Sequence, residues 1–306
     1  MTLQTRAVSL AILVVATTVA PHRGWGQEIG AMTLQERVSP DSLQALIVAA
    51  QLGDVVAQHD LGRMYANGEG VPENDAEAVR WLRAAAEQGH AAAQSYLGFM
   101  YHFGQGVPED DAEAIRWSRA AAEQGSAVAQ YVLGRMYNRG EGVPENDAEA
   151  VRWYRAAAEQ GLALAQRSLG RMYDRGEGVP ENDVEAVRWY RAAAEQGDAP
   201  AQSRLGYMYD FGEGVPESDA EAVRWYRTAA EQGLAVAQYG LGSMYELGEG
   251  VPENYLLAYA WFNLAGAQGV EAAQEAKDRL SRRMTSEQVA RAQELSIELL
   301  RSISPR

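Results

Sequence analysis

Cysteine is absent from the 306 residues. Its absence excludes a disulfide framework, a thiolate nucleophile, any cysteine-based zinc site and, for want of a lipobox, a lipoprotein. It does not fix the compartment. Lysine occurs once, at Lys277, among 27 basic residues, and 42 acidic residues bring the formal charge to −15. Histidine is confined to His22, His59, His90 and His102. Only His90 and His102 are close in sequence, and they share no ligand spacing. Gly-x-Ser-x-Gly does not occur. These residue types assemble neither a nucleophile–base pair nor a metal cluster, so no catalytic residue, metal or cofactor is expected and the chain reads as non-enzymatic. Nucleic acid is an unsuitable partner, because a strongly negative protein repels the phosphate backbone.

Long apolar runs are also scarce. The one that stands out, Ala7 to Ala20, is 14 residues long, too short to span a bilayer comfortably. With Arg6 ahead of it, it suits a signal peptide over residues 1–26. Pro21 disfavours a cut after Ala20, whereas Gly24 and Gly26 favour one before Gln27. Export to a periplasm or beyond is expected, without stable membrane insertion after cleavage. Loss of Arg6 and Arg23 with no acid takes the net charge from −15 to about −17. An uncleaved anchor or a misassigned start is the competing reading.

What the chain has in abundance is itself. Ser126 to Gly161 recurs every 36 residues, six times, from Asp54 to Gly269. Gly-x-Gly-Val-Pro begins at Gly68, Gly104, Gly140, Gly176, Gly212 and Gly248, and a tryptophan keeps phase at Trp81, Trp117, Trp153, Trp189, Trp225 and Trp261. Such a fixed period marks a stacked array. Each unit reads as helix, glycine turn, helix. In the third, Ala129, Leu133, Met136 and Tyr137 form an apolar stripe of helical period. Gly140 stops that helix and Pro144 precedes the next. Asn146 with Glu149 is a capping-box pattern, repeated at Asn74/Glu77, Asp110/Glu113, Asn182/Glu185 and Ser218/Glu221. The second helix buries Val, Trp and Ala and leaves Arg and Glu in water. One unit cannot bury its own apolar face, so neighbours must share theirs.

The unit A-x-x-L-G-x-M-Y-x-x-G-x-G-V-P-x-(D/N)-x-x-x-A-x-x-W-Y-x-x-A-A-x-x-G, over residues 54–269, resembles the Sel1-like repeat, a longer relative of the tetratricopeptide repeat. The resemblance implies an all-α, right-handed α/α superhelical solenoid with first helices on the concave side. It also implies an adaptor for protein complexes, often in bacterial envelopes or secretion. The expected organisation is signal peptide 1–26, flexible lead-in 27–41, N-terminal capping helix 42–53 and six repeats (54–89, 90–125, 126–161, 162–197, 198–233 and 234–269). Capping helices over 270–306 complete it. Leu257 replaces the capping Glu of the sixth unit, whose second helix is more apolar through Tyr255, Leu256, Tyr259, Phe262 and Leu264. After it, residues 270–282 begin like a seventh first helix, with Lys277 in the leucine column. Thr285 with Gln288 then opens a last helix over 286–303.

The Gly-x-Gly turns lack a Walker lysine and a preceding strand, so turn geometry explains them better than a phosphate loop. The Glu-Asn-Asp runs lack the alternating ligands of a calcium loop. The informative positions are those that differ between copies: the columns starting at His59, Asp60, Arg63 and Asn67, on one face of each first helix. They hold Tyr96, Phe99 and Phe103 in the second unit, and Tyr131, Arg135 and Arg139 in the third. The fourth supplies Arg167, Arg171 and Arg175, the fifth Arg204, Tyr207 and Phe211, and the sixth Tyr239 and Leu247. Three of the four phenylalanines fall here. Exposed aromatics and guanidiniums are typical of binding hot spots. The expected function is an exported, non-catalytic scaffold holding another protein's segment, acidic with apolar anchors, in the groove. In the competing reading the face is solvated, Arg139 and Arg175 pairing with Glu141 and Glu177. A cell-wall protein that binds peptidoglycan or β-lactams with weak hydrolysis, and a secreted effector engaging a host protein, are the rival functions. Oligomeric state is left open.

Overall fold

A computed structural model of the chain describes residues 40–303, so the expected signal peptide and most of the lead-in lie outside the described residues. Among the described residues there are 15 helices and no strand. They divide into two compact units, one through Ala157 and one from Ala158. The first unit holds α1 (Pro40–Gln51), α2 (Val55–Asn67), α3 (Asp75–Glu87), α4 (Ala91–Phe103), α5 (Asp111–Glu123) and α6 (Ala127–Arg139), and most of α7 (Asp147–Glu159). The second holds α8 (Ala163–Arg175), α9 (Asp183–Glu195), α10 (Ala199–Phe211), α11 (Asp219–Glu231), α12 (Ala235–Leu247), α13 (Tyr255–Ala267), α14 (Glu271–Ser281) and α15 (Ser286–Ile303). Six consecutive helix–turn–helix repeats make an α/α solenoid.

The turn works as its glycines predict, with a second role. Gly104 ends α4 in the left-handed region at φ 62°, its N–H donating to the Met100 carbonyl. Gly106, at φ 68°, is needed for another reason: a Cβ there would come within 2.3 Å of the Asp75 carbonyl oxygen. The turn of one repeat thus sits on the second helix of the repeat before it. The capping box forms only by half. Asn146 accepts from the Glu149 N–H at 3.1 Å, but its own N–H donates to the Tyr137 carbonyl at 2.8 Å. With that donor satisfied, Glu149 is free to pair with Arg152 at 3.1 Å. A full box does close at the last helix, where the Thr285 N–H donates to Gln288 Oε1 at 2.8 Å and the Gln288 N–H to Thr285 Oγ1 at 3.2 Å.

The constant Ala, Leu and Met columns fill the core of each unit, as at Ala93, Leu97, Met100, Ala201, Leu205 and Met208. A buried glutamine ladder runs with them. In the first unit Gln94 Nε2 donates to the Ala86 carbonyl at 3.0 Å while Gln94 Oε1 accepts from Gln124 at 2.7 Å. In the second, Gln202 donates to Ala194 at 3.0 Å and accepts from Gln232 at 2.7 Å. Each ladder glutamine satisfies a helix-end carbonyl that water cannot reach.

Both ends of the array are covered. The first helix packs Leu43, Leu46 and Ile47 against Ala57 and Leu61. At the other end Tyr259 and Phe262 pack against Ala273, Ala276 and Leu280 of α14 and Ala292 of α15. This is why the sixth repeat's second helix is more apolar than its siblings. No helix among the described residues is long and apolar enough to cross a membrane.

Candidate functional site

In the first unit the variable face is largely filled. Phe99 is only 8 % exposed, its ring 4.6 Å from that of Phe103 and edge-on to Tyr96 at 6.3 Å. Arg135 is also only 8 % exposed, its guanidinium 5.9 Å above the Phe103 ring and its Nε 3.6 Å from Glu141 Oε2. The expectation that Phe99 and Arg135 stand exposed in a groove is therefore corrected. Large side chains from adjoining first helices close over one another, and the stack itself supplies the desolvation that a partner was expected to supply. Tyr96 is half-buried, donates to Asn67 Oδ1 at 3.2 Å, and burial pushes its phenol up to about 12. Tyr131 packs its ring 5.8 Å from Tyr154. Arg139 is exposed and lies 3.4 Å from Glu141.

The histidines pair differently from their order in sequence. His59 and His90, in neighbouring repeats, stack at 4.6 Å. Burial first, and His90 second, lower the His59 pKa. His102 instead sits beside Asp111 Oδ1 at 2.8 Å and Glu141 Oε2 at 3.6 Å. Among the described residues no group of three or more His, Asp or Glu is placed to hold a metal ion.

In the second unit the arginines are engaged with the protein's own acids. Arg167 meets Asp198 at 3.0 Å, and exposed Arg175 lies 3.5 Å from Glu177. Arg171 is half-buried. Arg204 grips Asp174 through Nη2 at 2.6 Å and Nε at 2.9 Å, reaches Glu213 at 3.0 Å, and covers the Tyr207 ring at 4.4 Å. The aromatics here are more open. Tyr207 stacks on Phe211 at 4.5 Å, yet Phe211 is 60 % exposed. Tyr239 packs on Phe262 at 5.7 Å.

Between α10 and α12 a cleft of about 820 Å³ opens in this unit, with Tyr207, Phe211 and Tyr239 on its wall. Two further apolar residues on it are exposed, Val236 at 56 % and Leu247 at 63 %. Soluble surfaces rarely group large exposed apolar side chains around a concavity without a binding role. Acids also line it, Asp210 among them. The column that runs Ala66, His102, Asn138, Asp174, Asp210 and Glu246 varies along the array as the others do. It lies three residues beyond the Arg63 column on the same face. Its variation is a readable signal, which the columns of residues 59, 60, 63 and 67 do not contain.

The Sel1 repeat family profile matches residues 55–90, 91–126, 127–162, 163–198, 199–234 and 235–270. Among solved structures, the chain is 35 % identical to a Sel1 repeat protein from Oxalobacter formigenes, with a TM-score of 0.63 over 74 % of this chain and 88 % of that one. It is 32 % identical, with a TM-score of 0.61, to a protective antigen of uropathogenic Escherichia coli that displays the same repeat fold. That match covers 86 % of this chain, which spans 64 % of the antigen's length. A comparison with curated protein sequences found no match.

Proposed function

The chain belongs to the Sel1 repeat family of protein-interaction scaffolds, and from that premise we propose that it is an exported, non-catalytic adaptor holding a segment of another protein against its first helices. The observation that carries this reading is the cleft between α10 and α12, with Phe211, Val236 and Leu247 left exposed on its wall. Tyr207, Phe211 and Tyr239 act as apolar anchors there. Exposed Arg139 and Arg175 pair with Glu141 and Glu177, two residues on, at 3.4 and 3.5 Å, and can exchange these pairs for groups on a bound protein. Export rests on Arg6 and the apolar run Ala7–Ala20.

Affinity capture from an envelope extract with the tagged full chain tests the binding role. A variant carrying Phe211→Ser and Leu247→Ser is expected to lose the captured protein while keeping its helical circular dichroism. Equal capture by the two proteins would overturn the role of this face. Cell fractionation and the mass of the mature N-terminus test export.

A further inference from the structure

The second unit contains the same local arrangement twice, once complete and once with a part missing. In the complete copy, Asp174 at the end of α8 receives the Tyr190 hydroxyl at 3.1 Å and both Nε and Nη2 of Arg204, thirty residues on. One repeat later, Asp210 takes the place of Asp174 and receives the Tyr226 hydroxyl at 3.4 Å. The residue in register with Arg204 is Gly240. The carboxylate and its tyrosine are thus retained and the guanidinium is gone. The Tyr226 ring lies against Gly240, within 2.9 Å of where a Cβ would stand, and beyond it opens the cleft that Gly240 and Asp210 both line.

The surroundings decide what this space can take. Glu217, Asp219 and Glu249 line it alongside Asp210. Arg204, also on its wall, is already held by Asp174 and Glu213 and sits 4.4 Å over the Tyr207 ring. Burial raises the Asp210 carboxyl above the usual aspartate range, and Glu249, Asp219 and Glu217 add to the effect. A cation entering here meets a carboxylate that has no ion-pair partner among the described residues, and Phe211, Val236 and Leu247 offer apolar surface beside it.

We propose that the cleft between α10 and α12 is a socket for an arginine side chain of a partner protein. Its guanidinium takes the position on Asp210 that Arg204 takes on Asp174, and the apolar residues flanking it lie on Phe211, Val236 and Leu247. The planar fork suits this place better than a lysine ammonium, since the complete copy is bidentate through Nε and Nη2. The proposal rests on the reading that this face binds a protein segment, and it reverses the sign of the segment's charge from the acidic one the sequence suggests.

The test uses the full chain and three fluorescein-labelled, end-blocked peptides that differ at one central residue, arginine, citrulline or glutamate, flanked by leucine and phenylalanine. Fluorescence anisotropy should show the arginine peptide binding at least about tenfold tighter than the neutral, isosteric citrulline peptide, as expected for a charge-assisted pair. The glutamate peptide should bind more weakly still. Asp210→Asn should remove the preference for arginine over citrulline. Phe211→Ser should weaken all three peptides. If arginine and citrulline peptides bind alike and both depend on Phe211, the socket is wrong and the protein-binding face survives. Preference for glutamate, or no binding of any peptide at millimolar concentration, also overturns the socket. Capture from extract stands as the independent measure of the wider role.

Discussion

The variable face in the first unit and the variable face in the second are built on the same scaffolding and come out differently. Through Ala157, Phe99 and Arg135 are covered by their neighbours, and the face is continuous with the core. From Ala158 on, Phe211, Val236 and Leu247 stay in water around a cleft. The helices, turns and glutamine ladder are alike in both. What differs is the residue in the column of Asp60: Tyr96 and Val132 stand there in the first unit, whereas in the second Gly240 brings no side chain and lies against the Tyr226 ring at the edge of the cleft. In a repeat array a cleft can therefore accompany the loss of one side chain from an otherwise repeated scaffold.

The contrast is tested most strongly by matched truncations. Phe99→Ala removes a buried ring from the first unit and should cost about 3 kcal/mol or more, read as an earlier denaturation step in urea. Phe211→Ala removes an equally large but exposed ring and should change stability by about 0.5 kcal/mol or less. Equal losses would mean that the two faces are packed alike.

Next in size is a substitution that should not tell the units apart. Gln94→Leu and Gln202→Leu each leave a buried helix-end carbonyl and a partner glutamine unsatisfied. Each should cost about 2 kcal/mol, and by hydrogen exchange the loss should be local to the altered repeat and its neighbours. A ladder that mattered in only one unit would contradict the idea of a shared scaffold.

The scaffold is legible in the sequence because its signals are local. Gly104 and Pro108 punctuate the turn, Asn146 caps a helix, and Thr285 with Gln288 forms the box its spacing predicts. Other features depend on partners far along the chain. Gln94 and its counterparts are constant in all six copies, yet a polar residue on an apolar face suggests solvent unless its partner is known. The back-donation expected of Glu149 is pre-empted by a carbonyl on another helix, that of Tyr137. Periodicity places Phe99 on a face, but only the sizes of its neighbours decide whether that face is covered. The acid column of Asp174 and Asp210 is visible by the same criterion as the others, and its meaning depends on which residue lies thirty positions away.

The smallest effect isolates the missing guanidinium without any ligand. Asp210 is only half-buried, so solvent screens much of what burial does to it. The sign is nevertheless definite. Burial raises the folded-state pKa of this carboxyl, so between the unfolded and folded values the native state holds the extra proton, and stability falls as pH rises through that window. Above it the full penalty is present. Asp210→Asn should therefore stabilise the protein slightly at neutral pH, by about 0.5 kcal/mol after screening. The gain should fade as pH drops below the unfolded aspartate value of about 4. Asp174→Asn, which takes a carboxylate from Arg204, should destabilise instead. Thermal denaturation of the two variants at neutral and acid pH reads both signs, and a gain for Asp174→Asn or a loss for Asp210→Asn at neutral pH would show that the two carboxylates are not a paired and an unpaired copy of one arrangement.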